Sequence, residues 1–437
     1  MLIHDYLEKY SIIYSDRVAI KDIATSITLT YKELYNECLS RSIHIKEELV
    51  FIDSTNMLSI LLDMVSCMLA VKPFYVLKPI APFNIPDNLK KEKEFILSHF
   101  KPKNNALAIR ISSGSTSSFP KYFYATQEDR ISHSLVINKR LEITNEDSII
   151  CLCTPIYFGL GDSAFLRSLL AGATFLLSSS NDEDVNFKYL FTEKPSVVFS
   201  RSSYLSDFVH SAYAKNKILP NIRVWDAGGS NLNYLDAVTL ENNILATGKV
   251  IQHCNRADSS EPHMCYLADP QDKRLRTVGK YSEVKIVDDE LLIKKSVVIP
   301  SLNNTQKFTG NWYHTEDLAK VDENGYLIIT GRKKLLINLG YKYVNPIEVE
   351  TEVLKYPNIN DVACLGLKED GVEKLILLLV TKNRKKVNET LFDKNLSNSL
   401  NISIHSFLYL KELPYLKSGK LDRILLQSKL DVYFQNN

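Results

Sequence analysis

The sequence predicts an α/β protein. It would have a large N-terminal body of mixed and parallel sheets with flanking helices and a β subdomain, hinged to a small α+β C-terminal domain. Three observations predict this. Short β-branched apolar runs, "SVVFS", "IRVWDA" and "KVIQHC", are separated by helical lengths, the pattern of parallel strands joined by crossover helices. After about Val278 the pattern changes to period-two alternation around turn residues. Beyond "GRKK" a fresh set of helix and strand signals begins, in a chain of 437 residues that exceeds what one hydrophobic core usually supports.

Taken in order, "LTYKELYNECLSRSI" reads as a turn-capped amphipathic helix. "MLSILLDMVSCML" reads as a buried helix running into the strand "PFYVL". Asp63, Lys72 and Pro73 in that region argue against a membrane span. "YSEVKIVDDELLIKK" alternates on both sides of Asp288-Asp289, and "LAKVDENGYLIIT" alternates around Asn324-Gly325, so each predicts a hairpin. The last part holds a helix, "NPIEVETEVLKY", two strands, "DVACLGL" and "LILLLVT", and a final helix after Lys420. Dividing the chain at Lys334 gives an N-terminal body of 1–333 and a mobile C-terminal domain of 334–437.

Composition narrows the function classes. With 53 basic and 51 acidic residues the formal charge is +2, so no global field attracts nucleic acid or an anionic membrane. The basic clusters at 90–93 and 382–386 read as solvated segments. Seven cysteines lie scattered without CxxC or CxxH spacing, which predicts reduced, mostly buried thiols. "MLIHDYLEKY" has no basic stretch followed by an apolar core, so no secretory signal is expected and the cytoplasm is the expected location.

Three segments carry chemistry. In "ISSGSTSSFPKYFYAT" a run of small hydroxyl residues and Gly114 leaves backbone N–H groups unshielded ahead of Lys121, a composition able to wrap phosphate oxygens. A polar turn-rich loop has the same composition. In "WYHTEDL", Asp317 can accept both hydroxyls of a ribose, and Arg332 in "TGRKK" can donate to sugar or phosphate oxygens. A surface ion pair between strand ends is the plainer alternative. In "LPYLKSGKLDR", a tight Ser418-Gly419 turn presents Lys420, with Arg423 one helical turn behind.

The order of these segments, with "DAGGSNL" and "GYKYVNPIEVE" between them, resembles the adenylate-forming superfamily of acyl-CoA and aryl-CoA synthetases, peptide-synthetase adenylation domains and luciferases. The resemblance implies an AMP-forming acid–thiol ligase. It would join a carboxylic acid to the α-phosphate of ATP with Mg²⁺ and then pass the acyl group to coenzyme A or to an acyl carrier protein's phosphopantetheine. It further implies roles for individual residues. Ser113, Gly114, Ser115, Thr116 and Lys121 would hold the β- and γ-phosphates. Gly228, Gly229 and Ser230 would line the adenine and acyl pockets, Asp317 and Arg332 would grip the ribose, and Lys420 would be the catalytic cation bridging the carboxylate and the α-phosphate. The small domain would rotate about Lys334 and bring the loop around Gly340 to Tyr343 to the acyl-adenylate for thiol attack.

Two departures from the superfamily pattern stand out. "SGSTSSFPK" places Ser117 where a glycine is usual and adds a residue before Pro120. The usual aromatic-glycine-x-Thr-Glu segment is replaced by "CNRADSSEPHMCYL". The closest register makes Asp258 the Mg²⁺ ligand, and a shifted register would make it Glu261. Asp258 is preferred because the strand "KVIQHC" fixes the preceding length and the metal requires only a carboxylate. These degraded motifs sustain a rival expectation, a catalytically impaired protein of this fold acting as a binding or carrier-protein partner subunit.

Adenylation domains for α-amino acids carry an aspartate that meets the ammonium. The matching position here is Gly159, with Asp162 three residues later. A buried ammonium without a counter-ion is costly. The expected substrate is therefore an aryl or acyl acid without an α-amino group, with Tyr157, Phe158, Gly159 and Gly229 near its pocket.

Overall fold

The computed structural model describes the chain apart from 78–88, 101–105, 113–120, 229–233, 255–263, 267–283, 295–307, 322–326, 416–420, 436–437, 383–384 and residues 153, 181, 213, 216 and 370. The expected α/β architecture is present. An eight-stranded sheet runs in the order Met264–Tyr266, Lys249–Cys254, Val224–Gly228, Val197–Arg201, Ser148–Cys151, Thr174–Leu177, Val18–Asp22, Ile27–Thr30. Its six inner strands are parallel, and each edge strand is antiparallel to its neighbour.

The apolar runs are continuous because both faces are covered. Alternate residues of the same strands enter different cores. Ile149, Phe175, Val197, Phe199 and Ile251 pack in one. Ile150, Leu176, Val198, Trp225 and Val250 pack in the other. This is the two-residue side-chain period of a strand buried on both sides.

Local signals set the helix starts. Thr30 accepts from the Glu33 N–H at 3.2 Å, and the Glu33 carboxylate accepts from the Thr30 N–H at 2.8 Å, a reciprocal cap on Tyr31–Ser42. Asn56 caps Met57–Leu69, whose side chains are mostly buried, and the strand Phe74–Val76 follows. That strand joins a four-stranded sheet with Val50–Ile52, Ala106–Ser112 and Lys121–Thr126. The last two are antiparallel, with Ser112 opposite Lys121.

The chain forms two compact units. One comprises the described residues through Tyr266, and the other comprises Val284–Lys294 and Phe308 onward. Packing thus groups the β subdomain with the C-terminal residues. The division at 333/334 concerns motion about Lys334 and is taken up below as a proposal.

In the second unit, Val284–Val287 and Glu290–Lys294 form the expected hairpin. Asp288 and Asp289 both have positive φ, 50° and 60°, as a two-residue turn matched to strand twist requires. The sheet continues through Trp312–Val321 to Leu327–Arg332. Beyond it, Ile359–Glu369 and Val372–Thr381 pair antiparallel, and Ser406–Tyr409 adds in parallel. This small sheet also has a core on each face. Val362, Cys364, Leu375 and Leu377 lie in one, and Ala363, Leu365, Ile376 and Leu408 in the other.

Candidate active site

In the first unit the parallel strands deliver their carboxyl ends together, the place where open α/β sheets bind ligands. Gly228 is the buried last residue of its strand, in register with Arg201 on one side and His253 on the other. The Ser202 hydroxyl donates to the Gly228 carbonyl at 3.4 Å. Lys121 opens its strand beside Ser112, so the two ends of the hydroxyl-rich segment are held next to each other. Ser113, Gly114, Ser115, Thr116, Gly229, Ser230, Asp258, Glu261 and Lys420 lie outside the described residues.

Tyr157, Phe158 and Gly159, expected near the acid's pocket, sit at the start of the helix Gly159–Ala171. The rings of Tyr157 and Phe158 lie 5.3 Å apart, and Phe158 is the helix N-cap. Burial pushes the Tyr157 hydroxyl up to about 12, so it stays a neutral phenol at physiological pH. An added Cβ at Gly159 would meet nothing within 4 Å, whereas one at Gly161 would lie 2.4 Å from the Pro155 carbonyl oxygen. The helix therefore starts against the 154–155 backbone at Gly161 and leaves open space at Gly159.

Sequence reasoning located Asp162 but not its partner. Asp162 is fully buried in the first turn and pairs with the buried Arg130. One turn on, buried Arg167 lies 3.7 Å from buried Asp226 and stacks over Phe199, 4.8 Å from its centroid. Asn138 donates to the Arg167 carbonyl at 2.8 Å. Removing one member of such a buried pair costs about 3–5 kcal/mol, so the helix is held firmly in place. With Asp162 engaged by Arg130 and a glycine at 159, the described residues offer no carboxylate at either position for a substrate ammonium.

In the second unit the T-x-D segment and the G-R segment are brought together. Asp317 and Arg332 are register partners on adjacent strands, and Arg332 Nε lies 2.9 Å from Asp317 Oδ1. The Thr315 hydroxyl donates to the Leu291 carbonyl at 2.6 Å and accepts from the Asp317 N–H at 3.0 Å, which fixes the approach to Asp317. Between them Glu316 adopts φ 60°, a strained region for a side chain of its size. Its carboxylate pairs with Lys334 at 2.9 Å. Its N–H donates to Glu290 at 2.9 Å, and Glu290 also pairs with Lys333 at 3.2 Å. Burial alone would raise the Glu290 carboxyl, but these bonds outweigh it and hold it below its ordinary value.

Asn345 ties the strand Leu327–Arg332 to the following helix, Pro346–Val353. Its side chain caps Ile347 and donates to the Thr330 carbonyl. Gly331 permits this, because a Cβ there would lie 2.4 Å from the Asn345 amide. Gly340 has φ +84°, as expected of the residue that turns between Ile337–Asn338 and Tyr343–Val344, and it donates its N–H to the Asn338 side chain at 2.9 Å. Tyr341 and Tyr343 beside it are exposed. Among the described residues no helix is long and apolar enough to cross a membrane. Nor do those residues contain a group of three or more His, Cys, Asp or Glu able to hold a metal.

A doubly covered parallel sheet, an antiparallel subdomain ending in a paired aspartate and arginine, and a small α+β sheet beyond it are the architecture that the resemblance to adenylate-forming ligases leads one to expect. Curated CoA ligases and solved CoA-ligase structures are among the proteins this chain is similar to. No family model matches it. It is 24% identical over 355 residues to the 2-succinylbenzoate–CoA ligase of Listeria monocytogenes serotype 4b (strain F2365), covering 75% of this chain and 70% of that one. It is also 24% identical over 371 residues to the mitochondrial medium-chain acyl-CoA ligase ACSF2 of Mus musculus, covering 78% of this chain but only 59% of that one. In structure it matches ATP-bound MatB from Rhodopseudomonas palustris with a TM-score of 0.81, at 16% identity, over 99% of this chain and 100% of that one. It matches the o-succinylbenzoate CoA synthetase MenE from Bacillus subtilis, in complex with ATP and magnesium ion, with a TM-score of 0.76, at 18% identity, over 97% and 99%. These likenesses bear out the expected fold and the resemblance read from the motifs.

Proposed function

We propose that this protein uses ATP and Mg²⁺ to convert an aryl or acyl carboxylic acid to its acyl-adenylate, and then transfers the acyl group to the thiol of coenzyme A. The observation that carries the reading is the Asp317–Arg332 pair, set on neighbouring strands at the position that the motif order assigns to the ribose. Asp317 accepts the ribose hydroxyls, and Arg332 is held beside it as donor. Ser113 to Thr116 and Lys121 bind the β- and γ-phosphates, and Gly228 to Ser230 form the adenine and acyl walls. Attack at phosphorus needs charge neutralisation and alignment more than acid–base help, and Lys420 supplies the cation.

A lone carboxylate completed by phosphate oxygens and water is an ordinary donor set for Mg²⁺, which suits Asp258. When held there, the ion would supply charge neutralisation at the phosphates. The engaged Asp162 and the glycine at 159 favour an acid without an α-amino group. We assign Lys334 as the pivot between the two half-reactions, with 334–437 as the moving part and Gly340 on the loop that meets the thiol. Among the described residues the free, buried Cys38, Cys67 and Cys364 suit a reducing compartment, and the cytoplasm is our assignment, tested by cell fractionation.

The test is a mass-spectrometric screen of aryl acids, fatty acids and α-amino acids with ATP and Mg²⁺. It is scored first for acyl-AMP and then for thioester on adding coenzyme A or phosphopantetheinylated carrier proteins. Acyl-AMP from aryl or acyl acids and thioester on coenzyme A are expected. Binding without acyl-AMP would instead favour the non-catalytic partner role.

A further inference from the structure

We propose that the buried pairs Arg130–Asp162 and Arg167–Asp226 position the acid-side start of the helix Gly159–Ala171, an inference that rests on the acyl-adenylate reading above. Both pairs converge on that one helix. Asp162 lies in its first turn and Arg167 one turn on, and both side chains are fully buried. Their partners come from two other elements. Arg130 lies in the first turn of the helix Gln127–Arg140, which follows directly on the strand Lys121–Thr126. Asp226 lies on Val224–Gly228, two residues before the glycine that ends the strand. The helix thus joins the element that begins at Lys121 to the one that ends at Gly228.

Fixed backbone supports the charges. Gln127 accepts from the Ile3 N–H at 3.1 Å and donates to the Met68 carbonyl at 3.0 Å, so Arg130 extends from an anchored turn. Two turns later Asn138 donates to the Arg167 carbonyl at 2.8 Å, a second tie between the two helices. Arg167 Nη1 lies 3.7 Å from Asp226 Oδ2, and its guanidinium sits over the ring of Phe199, the register partner of Asp226. The Asp162 N–H donates to the Phe158 carbonyl at 2.9 Å, and the Phe158 N–H donates to the Pro155 carbonyl at 2.9 Å. The carboxylate held by Arg130 therefore belongs to a residue one hydrogen bond from Phe158, with Tyr157 and Gly159 on either side.

Apolar contacts are non-directional, whereas a desolvated ion pair is sensitive to displacement because no water replaces a lost contact. Two such pairs, reaching different neighbours, set the place of the helix start more closely than packing alone. An acid carboxylate must be aligned for attack at phosphorus, and misplacement by about 1 Å can cost on the order of 100-fold.

The test is a length-compensation cycle that keeps every charge: Arg130→Lys, Asp162→Glu and the two combined. Lysine shortens the cationic arm and glutamate lengthens the anionic one. Arg167→Lys, Asp226→Glu and their combination repeat the cycle at the second pair. ATP–pyrophosphate exchange is measured with the aryl and fatty acids of the screen above, 2-succinylbenzoate, benzoate and octanoate among them. Urea unfolding of each variant is measured alongside.

Each single variant should unfold cooperatively and raise KM for the preferred acid about 10- to 100-fold, with KM for ATP within about twofold of the wild type. Each combined variant should return KM for the acid to within about threefold, because contacting residues are coupled. An unchanged KM for the acid, equal rises in both KM values, losses that multiply in the combined variants, or loss of cooperative unfolding in every variant overturn the positioning role and leave the acyl-adenylate reading intact. No exchange by the wild type with any acid overturns that reading and the inference with it.

Discussion

Asp317 and Arg332 face each other across adjacent antiparallel strands, 2.9 Å apart, with Asp317 mostly buried and Arg332 a third exposed. Each holds the other in one rotamer, so a ribose would meet groups that are already oriented.

Asp317→Asn removes an ionised acceptor and leaves Arg332 unpaired. Hydrogen bonds to charged groups contribute about 1.5–3 kcal/mol, so KM for ATP should rise about 10- to 100-fold. Thermal stability should change by less than about 1 kcal/mol, because Arg332 remains hydrated. Steady-state kinetics and melting on the same preparation check both.

Lys334→Pro tests the pivot. Lys334 lies in a single 3₁₀ turn, Lys333–Leu335, and its side chain is held by Glu316. Proline fixes φ near −65° and so restricts rotation there. Overall thioester formation should fall at least about tenfold while one half-reaction, measured alone, keeps its rate. Equal retention of both half-reactions would place the pivot elsewhere.

Asp147→Asn tests the acid dependence of stability in the first unit. Asp147 accepts from Arg223 Nη2 at 2.7 Å and Nε at 3.0 Å, from the Ser196 hydroxyl at 2.7 Å and from the Thr144 N–H at 2.9 Å. Burial would raise its carboxyl, but these partners outweigh burial and hold it below the usual range. A depressed folded-state value means the contribution is complete above the unfolded value, about 3.9, and is lost as pH falls through the lower folded value. Asp147→Asn should therefore cost about 1–3 kcal/mol at pH 7 and much less near pH 2, as read by urea unfolding at both.

Gly159→Asp tests the acid specificity. The open space at that position admits a side chain, and a carboxylate in the first turn suits the helix dipole. The variant should fold normally and gain acyl-AMP formation with α-amino acids, while Gly161→Asp, which meets the 155 carbonyl, should lose solubility or stability.

What the sequence made legible was local. Continuous apolar runs gave the parallel strands, Thr30 with Glu33 gave a helix start, and Asp288-Asp289 gave a hairpin. What it hid depended on partners far apart in the chain. Asp162 meets Arg130 from 32 residues away, and Arg423 meets Glu350 from 73 away. Neither is announced by spacing, because an ion pair needs only that two elements pack. The grouping of 284–294 and 308–332 with the C-terminal residues was equally hidden, since alternation specifies a strand but not the unit it packs in.

The pairing of Ser112 with Lys121 closes the frame around the hydroxyl-rich segment. Because the flanking strands fix where that segment leaves and returns, its length is decoupled from the rest of the sheet. The Ser112–Lys121 register does not depend on how many residues lie between them, so the segment can gain or lose a residue while the scaffold stays unaltered.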